Sequence, residues 1–252
     1  MNLANFGGKH MTLTIKNLTG GYSQLPVLKD INFKINDGEL VGLIGLNGAG
    51  KSTTIKEIIG LLQPQKGSIE IDGLTLKENP EEYRKKIGYI PESPALYEEL
   101  TLREHLEVTA MAYDIPQDIA LQRAEQLLKT FRLENRLEWF PANFSKGMKQ
   151  KVMILCAFLI EPSLYIIDEP FLGLDPLAIH ALLELMKEMK ETGASILMST
   201  HVLATAEKYC DRFIMLHNGE IRAQGSMAEL QQQFGLANAS LDEIYLALTE
   251  EA

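Results

Sequence analysis

Residues 45–52 read Gly45-Leu46-Asn47-Gly48-Ala49-Gly50-Lys51-Ser52, the pattern G-x-x-x-x-G-K-[ST]. A short apolar run, residues 40–44, precedes it, and a stretch of helical periodicity, residues 52–62, follows. That context constrains the chain more than any other feature, because it prescribes a strand, a tight loop and a helix in sequence. Glycines let the loop's backbone amides turn inward around an anion. The following helix adds the positive end of its dipole. Lys51 is then placed to reach the β- and γ-phosphates of a nucleotide, and Ser52 to offer its hydroxyl to Mg²⁺. The candidate nucleotide contacts are thus Gly45 to Ser52, with Thr53 next on the helix.

The surrounding pattern predicts two kinds of sheet. Residues 12–15 and 27–35 alternate polar and apolar side chains, as half-exposed strands do, and residues 68–71 form another short strand. Asn36-Asp37-Gly38 and Asp72-Gly73 are turns, and Pro64 with Gly67 is expected to end the helix after the loop. This first part reads as an antiparallel β layer interleaved with the strand–loop–helix. The middle reads as helical, with helices over 80–86, 102–113, 117–131 and 146–160. Thr101 caps the second of these, and Glu104 completes its capping box. After it, strands at 164–167, 195–198 and 212–216 alternate with helices at 176–191 and 203–209, the order of a parallel βαβ sheet. Asn218-Gly219 predicts a hairpin into 220–223, and 241–248 a short amphipathic helix.

Two further groups carry chemistry. The apolar run 164–167 ends in Asp168-Glu169, and acids at the C-terminal edge of a buried strand lie where α/β folds hold ligands. Asp168 suits a Mg²⁺ partner, direct or through water, and Glu169 suits a general base that orients an attacking water. His201 follows the strand at 195–198, where its ring could bond a γ-phosphate and hold that water.

The balance of charge limits the partners. A formal net charge of -10 disfavours non-specific binding to phosphate backbones, which need a basic face, so no nucleic-acid partner is expected. The longest apolar run, residues 152–160, falls far short of the ~20 residues that cross a bilayer. Residues 1–10 lack a secretory pattern and read as a loose extension. The two cysteines, Cys156 and Cys210, have neither zinc nor disulfide spacing. A cytoplasmic protein is expected, touching a membrane only through a partner.

Taken together, these residues resemble the nucleotide-binding subunit of ABC transporters. Ser145-Lys146-Gly147-Met148-Lys149-Gln150 sits where that family carries its signature L-S-G-G-Q. Gly173-Leu174-Asp175 matches its D-loop, and His201 its switch histidine, all in the family's order. Tyr22, in Gly20-Gly21-Tyr22, matches the aromatic that stacks on adenine, with Val27 on the same face. Within the family, Tyr89-Ile90-Pro91-Glu92, Trp139-Phe140-Pro141-Ala142 and the run from Asp168 to Pro176 are similar to the Ecs-type subunits of Gram-positive bacteria.

The resemblance implies an α/β P-loop NTPase of the ABC-type cassette. Its mixed β core would join a parallel sheet to an antiparallel β layer and carry an inserted α-helical subdomain. One domain would span 11–252 after a flexible extension over 1–10. Its catalytic lobe would cover 11–92 and 162–235, its helical subdomain 93–161 and its C-terminal helix 239–250. The resemblance also implies an ATPase with ATP and Mg²⁺, closing as a homodimer in which Ser145, Lys146, Gly147, Met148 and Asp175 complete the partner's site. It would sit peripherally on the inner face of the membrane, with permease subunits docking near 93–144. Leu96, Tyr97, Leu100 and Leu106 are the candidates there. The implied cargo is an exported one, linked to secretion or peptide handling.

Two motifs depart from the family's pattern. Glu92 replaces the Q-loop glutamine, although a carboxylate can still meet Mg²⁺ or its water. Lys146 and Met148 alter the signature, which keeps Ser145 and Gly147. A non-transport ATPase of the same superfamily is the alternative. DNA-repair members place a long coiled coil between the phosphate loop and the signature, and no heptads occur here. Translation factors carry two cassettes, and one is present.

Overall fold

The computed structural model describes residues 11–23 and 25–250, and the extension expected over 1–10 lies outside them. Two sheets form the core. The first, antiparallel and in the order β2-β1-β4-β5, joins β1 (Met11–Gly20), β2 (Leu28–Asn36), β4 (Lys66–Ile71) and β5 (Leu74–Thr75). Leu28, Ile31, Phe33 and Ile35 of β2 point inward while the residues between them face water, as the alternation requires. Asp72 and Gly73 both take positive φ, 49° and 76°, in the tight turn from β4 to β5.

The second sheet has the order β10-β9-β3-β8-β7-β6. It contains β3 (Leu40–Ile44), β6 (Ile87–Ile90), β7 (Leu164–Asp168), β8 (Ser195–Thr200), β9 (Arg212–His217) and β10 (Glu220–Gly225). All neighbours run parallel except β10, which returns from β9 through Asn218-Gly219. Every residue of β3, β7 and β8 is buried, as expected of strands covered on both faces.

One core fills the space between the two sheets and takes in α1 (Lys51–Ile58), with Ile55 and Ile58 against Val41, Leu43 and Leu197. On the sheet's other face lie α5 (Lys146–Ile160) and α6 (Pro176–Glu191), with α3 (Leu102–Ala112) and α4 (Gln117–Phe131) packed on α5. Phe158 of α5 stacks on Tyr165 of β7 at 4.6 Å between ring centroids, a geometry worth about 0.5–1.5 kcal/mol beyond the area it buries. A smaller cluster joins α7 (Leu203–Tyr209), α8 (Met227–Phe234) and α9 (Leu241–Glu250) to the ends of β3 and β9.

Several elements differ from expectation. The helix after the phosphate loop stops at Ile58 rather than running to residue 62. Gly60 takes φ 77°, and the N–H groups of Leu61 and Leu62 fold back onto the carbonyl of Lys56, so glycine closes the helix before Pro64 is reached. Residues 87–90, inside the stretch read as helical, form β6, which pairs with β7 at the sheet's edge. The helix before it, α2 (Pro80–Lys85), packs on β5 and β6 instead of on α3 to α5. Finally, α8 was not expected, although Ser226 and Glu229 form a full capping box at its start.

Candidate nucleotide site

The phosphate loop leaves the C-terminal edge of the parallel sheet between β3 and α1. Its shape depends on glycine. Gly48 and Gly50 take φ 84° and 114°, and a Cβ on Gly45 would sit 2.7 Å from the carbonyl oxygen of Leu216 on β9. From the β9–β10 turn, the N–H of Gly219 donates to Ala49 O at 3.0 Å and holds the loop from below. No side chain caps α1, so its first-turn amides are left for an anion. The buried Lys51 ammonium donates to Gly45 O at 2.7 Å and lies across the loop, while Ser52 is exposed beside it. The N–H of Leu46 donates to the hydroxyl of Tyr245, on α9, at 2.8 Å. Sequence reasoning gave Tyr245 no role, because a tyrosine on an amphipathic helix carries the signal of ordinary packing.

Asp168 and Glu169 stand at the end of β7, and Ser199 is opposite Asp168 on β8. The Ser199 hydroxyl donates to Asp168 Oδ1. Burial holds the Asp168 carboxyl above its usual range, opposed by the Ser199 bond and Lys51 and reinforced by the charges of Glu92 and Glu169. Ser199 was another residue missed; the only signal was its place just before Thr200-His201. The backbone then turns at Glu169, whose φ of 47° is unusual for a side chain with a Cβ, and the Glu169 N–H donates to Ser199 O at 3.1 Å. That turn brings the Glu169 carboxylate to His201. Oε2 lies 2.8 Å from His201 Nδ1 and accepts the His201 N–H at 3.3 Å. The two residues expected to handle the attacking water are therefore in contact.

Ser52, Asp168 and Glu92 supply hard oxygen donors, the type that Mg²⁺ takes. Among the described residues no three acidic, histidine or cysteine groups converge to hold a metal ion. A cation fits here only if phosphate oxygens and water complete its shell, as Mg²⁺ on a nucleotide requires. The crowding of Glu92, Glu169 and buried Asp168 is a local excess of negative charge that such an ion would relieve.

The remaining sequence-predicted residues fall in two places. Tyr22 is 60% exposed and lies against α1, its hydroxyl accepting from Lys56 Nζ at 3.0 Å, a bond that holds the phenol below its usual pKa. The Lys56 ammonium also stands over the ring, 5.1 Å from its centroid. Val27 is half-buried nearby, and its N–H donates to Gly20 O at 2.8 Å.

The signature lies at the start of α5. Ser145 is the N-cap and accepts from the Met148 N–H at 3.3 Å, leaving the other first-turn amides to a ligand. Lys146 is exposed and Met148 half-buried. A Cβ on Gly147 would collide with the carbonyl oxygen of Gly173, so the signature and the 169–175 loop touch backbone to backbone. Asp175 caps α6 through the Ala178 N–H and pairs with Lys151 Nζ of α5 at 2.9 Å. Lys151, followed by that backbone bond, holds the Asp175 carboxyl below its usual range. Gln150 Nε2 donates to Pro91 O at 3.2 Å, joining α5 to the segment carrying the exposed Glu92. Among the described residues no hydrogen bond links the Ser145–Met148 turn to the phosphate loop.

Known proteins share the sequence and the fold. The sequence profile described as ABC transporter matches residues 28–172. The chain is 66% identical over 239 residues to the ABC-type transporter ATP-binding protein EcsA of Bacillus subtilis (strain 168), covering 95% of this chain and 97% of that protein. A solved ATP-binding subunit of an ABC transporter superposes with a TM-score of 0.93 at 62% identity, over 94% of this chain and 99% of that one. An ATP-binding cassette solved as a dimer after hydrolysis, with ADP and Pi bound, gives a TM-score of 0.78 at 28% identity, over 85% of this chain and 98% of that one.

Proposed function

The chain belongs to the ABC transporter family, and from that premise we propose that two copies of this ATP-hydrolysing subunit close head to tail around two ATP molecules to drive a membrane permease. One observation carries the reading. The chain presents two separate helix ends with amides left for an anion, the loop before α1 and the Ser145-capped start of α5, and among the described residues no hydrogen bond joins them within one copy. A second copy supplies the missing half.

In this arrangement Tyr22 and Val27 hold the base, and Gly45 to Thr53 cradle the phosphates. Ser145, Lys146, Gly147 and Met148 of the second copy close over the terminal phosphate, with Asp175 beside them. Ser52, Asp168 and Glu92 are the residues that would hold Mg²⁺, which when bound neutralises phosphate charge. Glu169 orients the water and takes its proton. His201 holds the Glu169 carboxylate through Nδ1, and its Nε2, without a protein partner among the described residues, is available to the γ-phosphate.

Among the described residues no helix is long and apolar enough to cross a membrane. As the ATPase partner of a permease, the subunit belongs in this reading to the cytoplasm, peripheral on the inner face of the membrane and held there by the permease. A groove of about 630 Å³ between α3 and α4 supports docking within residues 93–144. Leu106, Ala110, Met111, Leu121 and Leu137 line it, with Leu106 and Ala110 themselves buried; the other candidates, Leu96, Tyr97 and Leu100, do not line it, and Tyr97 is exposed. The Ecs-type resemblance further supports an exporter serving secretion or peptide handling.

The decisive variant is Glu169→Gln. It should keep ATP binding, lose turnover by about 100-fold or more, and accumulate as an ATP-bound dimer in gel filtration. Wild-type phosphate release from this variant, or a monomer at saturating ATP, would remove Glu169 and the closed dimer from the mechanism.

A further inference from the structure

Leu46 is the second residue of the phosphate loop, and its side chain is exposed, so packing does not fix it. Its backbone is nonetheless held at both polar groups. The carbonyl accepts from the Ala49 N–H at 3.0 Å and lies 3.5 Å from Lys51 Nζ. The N–H donates to Tyr245 at 2.8 Å. Tyr245 comes from an element that touches no other part of the loop by hydrogen bond among the described residues.

Tyr245 is itself firmly placed. It is 8% exposed and packs in the cluster of Ile44, Ala206, Phe213, Met215, Leu241 and Leu248. The first residue of α9, Leu241, donates its N–H to Glu207 of α7 at 2.8 Å, and α7 begins just after His201. The hydroxyl is thus a fixed acceptor, set by packing on one side and by α7 on the other.

We propose that Tyr245 is a positioning residue for ATP: from α9 it pins the Leu46 amide and so holds the phosphate loop in the shape that receives the nucleotide's phosphates. The Leu46 amide lies upstream of the amides left for the anion, so the bond acts on the loop's geometry and not on the ligand. Losing it frees the Gly45–Leu46 peptide plane, whose carbonyl accepts from Lys51 at 2.7 Å, and the loop must be ordered each time a nucleotide binds.

The test uses Tyr245→Phe in the full chain, which removes the hydroxyl and keeps the ring. The KM for ATP should rise about three- to tenfold, the strength of one hydrogen bond, with kcat within about twofold of wild type. ADP affinity, read by displacement of a fluorescent nucleotide, should fall by the same factor. The thermal midpoint without nucleotide should fall by no more than about 5 °C, the share of one hydrogen bond. Leu246→Ala, at an exposed position of the same helix, serves as the control and should leave KM unchanged. An unchanged KM and ADP affinity in Tyr245→Phe would overturn the proposal, as would a lowered midpoint with an unchanged KM, which marks a structural role alone. The inference rests on the ATPase reading. A wild-type chain that releases no phosphate would sink that reading, whereas normal wild-type kinetics with an indifferent Phe variant would sink only the role of Tyr245.

Discussion

Glu57 lies on the inner face of α1, 2% exposed, and neither of its carboxylate oxygens has a hydrogen-bond partner among the described residues. Its head group fills the space that a side chain at Gly20 would need, directly beneath the segment leading to Tyr22. Burial alone pushes its carboxyl up to about 7. The sign follows from linkage. Below the ordinary carboxyl value of 4.5 both folded and unfolded chains are protonated, and Glu57 adds no pH dependence. As pH rises from there to about 7, the unfolded chain releases the proton and the folded chain keeps it, so stability falls across that window and then levels off. Glu57→Gln should flatten this slope and stabilise the protein at pH 8 by roughly 1–3 kcal/mol, measured by urea unfolding across the pH range. At this scale the sequence reveals residues whose chemistry conflicts with their surroundings. Asp168, Glu169 and His201 stood out because each ends an apolar run. Ser199 and Tyr245 did not, because a serine inside a strand and a tyrosine on a helix are equally consistent with packing.

At the level of elements, the contact between the start of α5 and the 169–175 loop ties the signature to the acidic pair. Gly147 has no room for a Cβ against Gly173, and Lys151 holds Asp175 across the same junction. Movement at one is therefore felt by the other. Gly147→Ala must push the two apart at a cost of about 1–3 kcal/mol in this junction. Its expected result is normal ATP binding by the single chain, with loss of ATP-dependent dimerisation in gel filtration and of turnover. Full dimerisation by this variant would show that the junction tolerates separation. Most elements were legible because their periodicity was uninterrupted: α4, α5, α6 and α7 begin and end where their patterns do. Strand β6 was hidden for a physical reason. It has four residues, one of them a glycine packed near Pro162 and Ala157, too short a run to show a period of two. The start of α8 was marked by Ser226 and Glu229, and its end by Gly235 at φ 66°, a capping signal that needed no periodicity to find.

For the whole molecule, a site divided between two copies has a distinctive genetic signature. A chain with Lys51→Ala keeps its signature and loses its phosphate loop, and a chain with Ser145→Arg does the reverse. Each alone should be inactive. Mixed in equal amounts, they should recover roughly a quarter of wild-type phosphate release, because half of the dimers are mixed and each of those has one intact site. No recovery on mixing would mean that the signature serves its own chain's loop. The placement of β3 has a different consequence, one of timing. Leu40 lies opposite Ile196 on one side, and Val41 opposite Arg212 on the other. The strand that carries the phosphate loop therefore leaves the ribosome early and waits for most of the chain before either neighbour exists, a long-range pairing of the kind that folds slowly. Tyr245 lengthens the wait, since the loop's last anchor comes from α9. Nucleotide affinity is then among the last properties the nascent protein acquires.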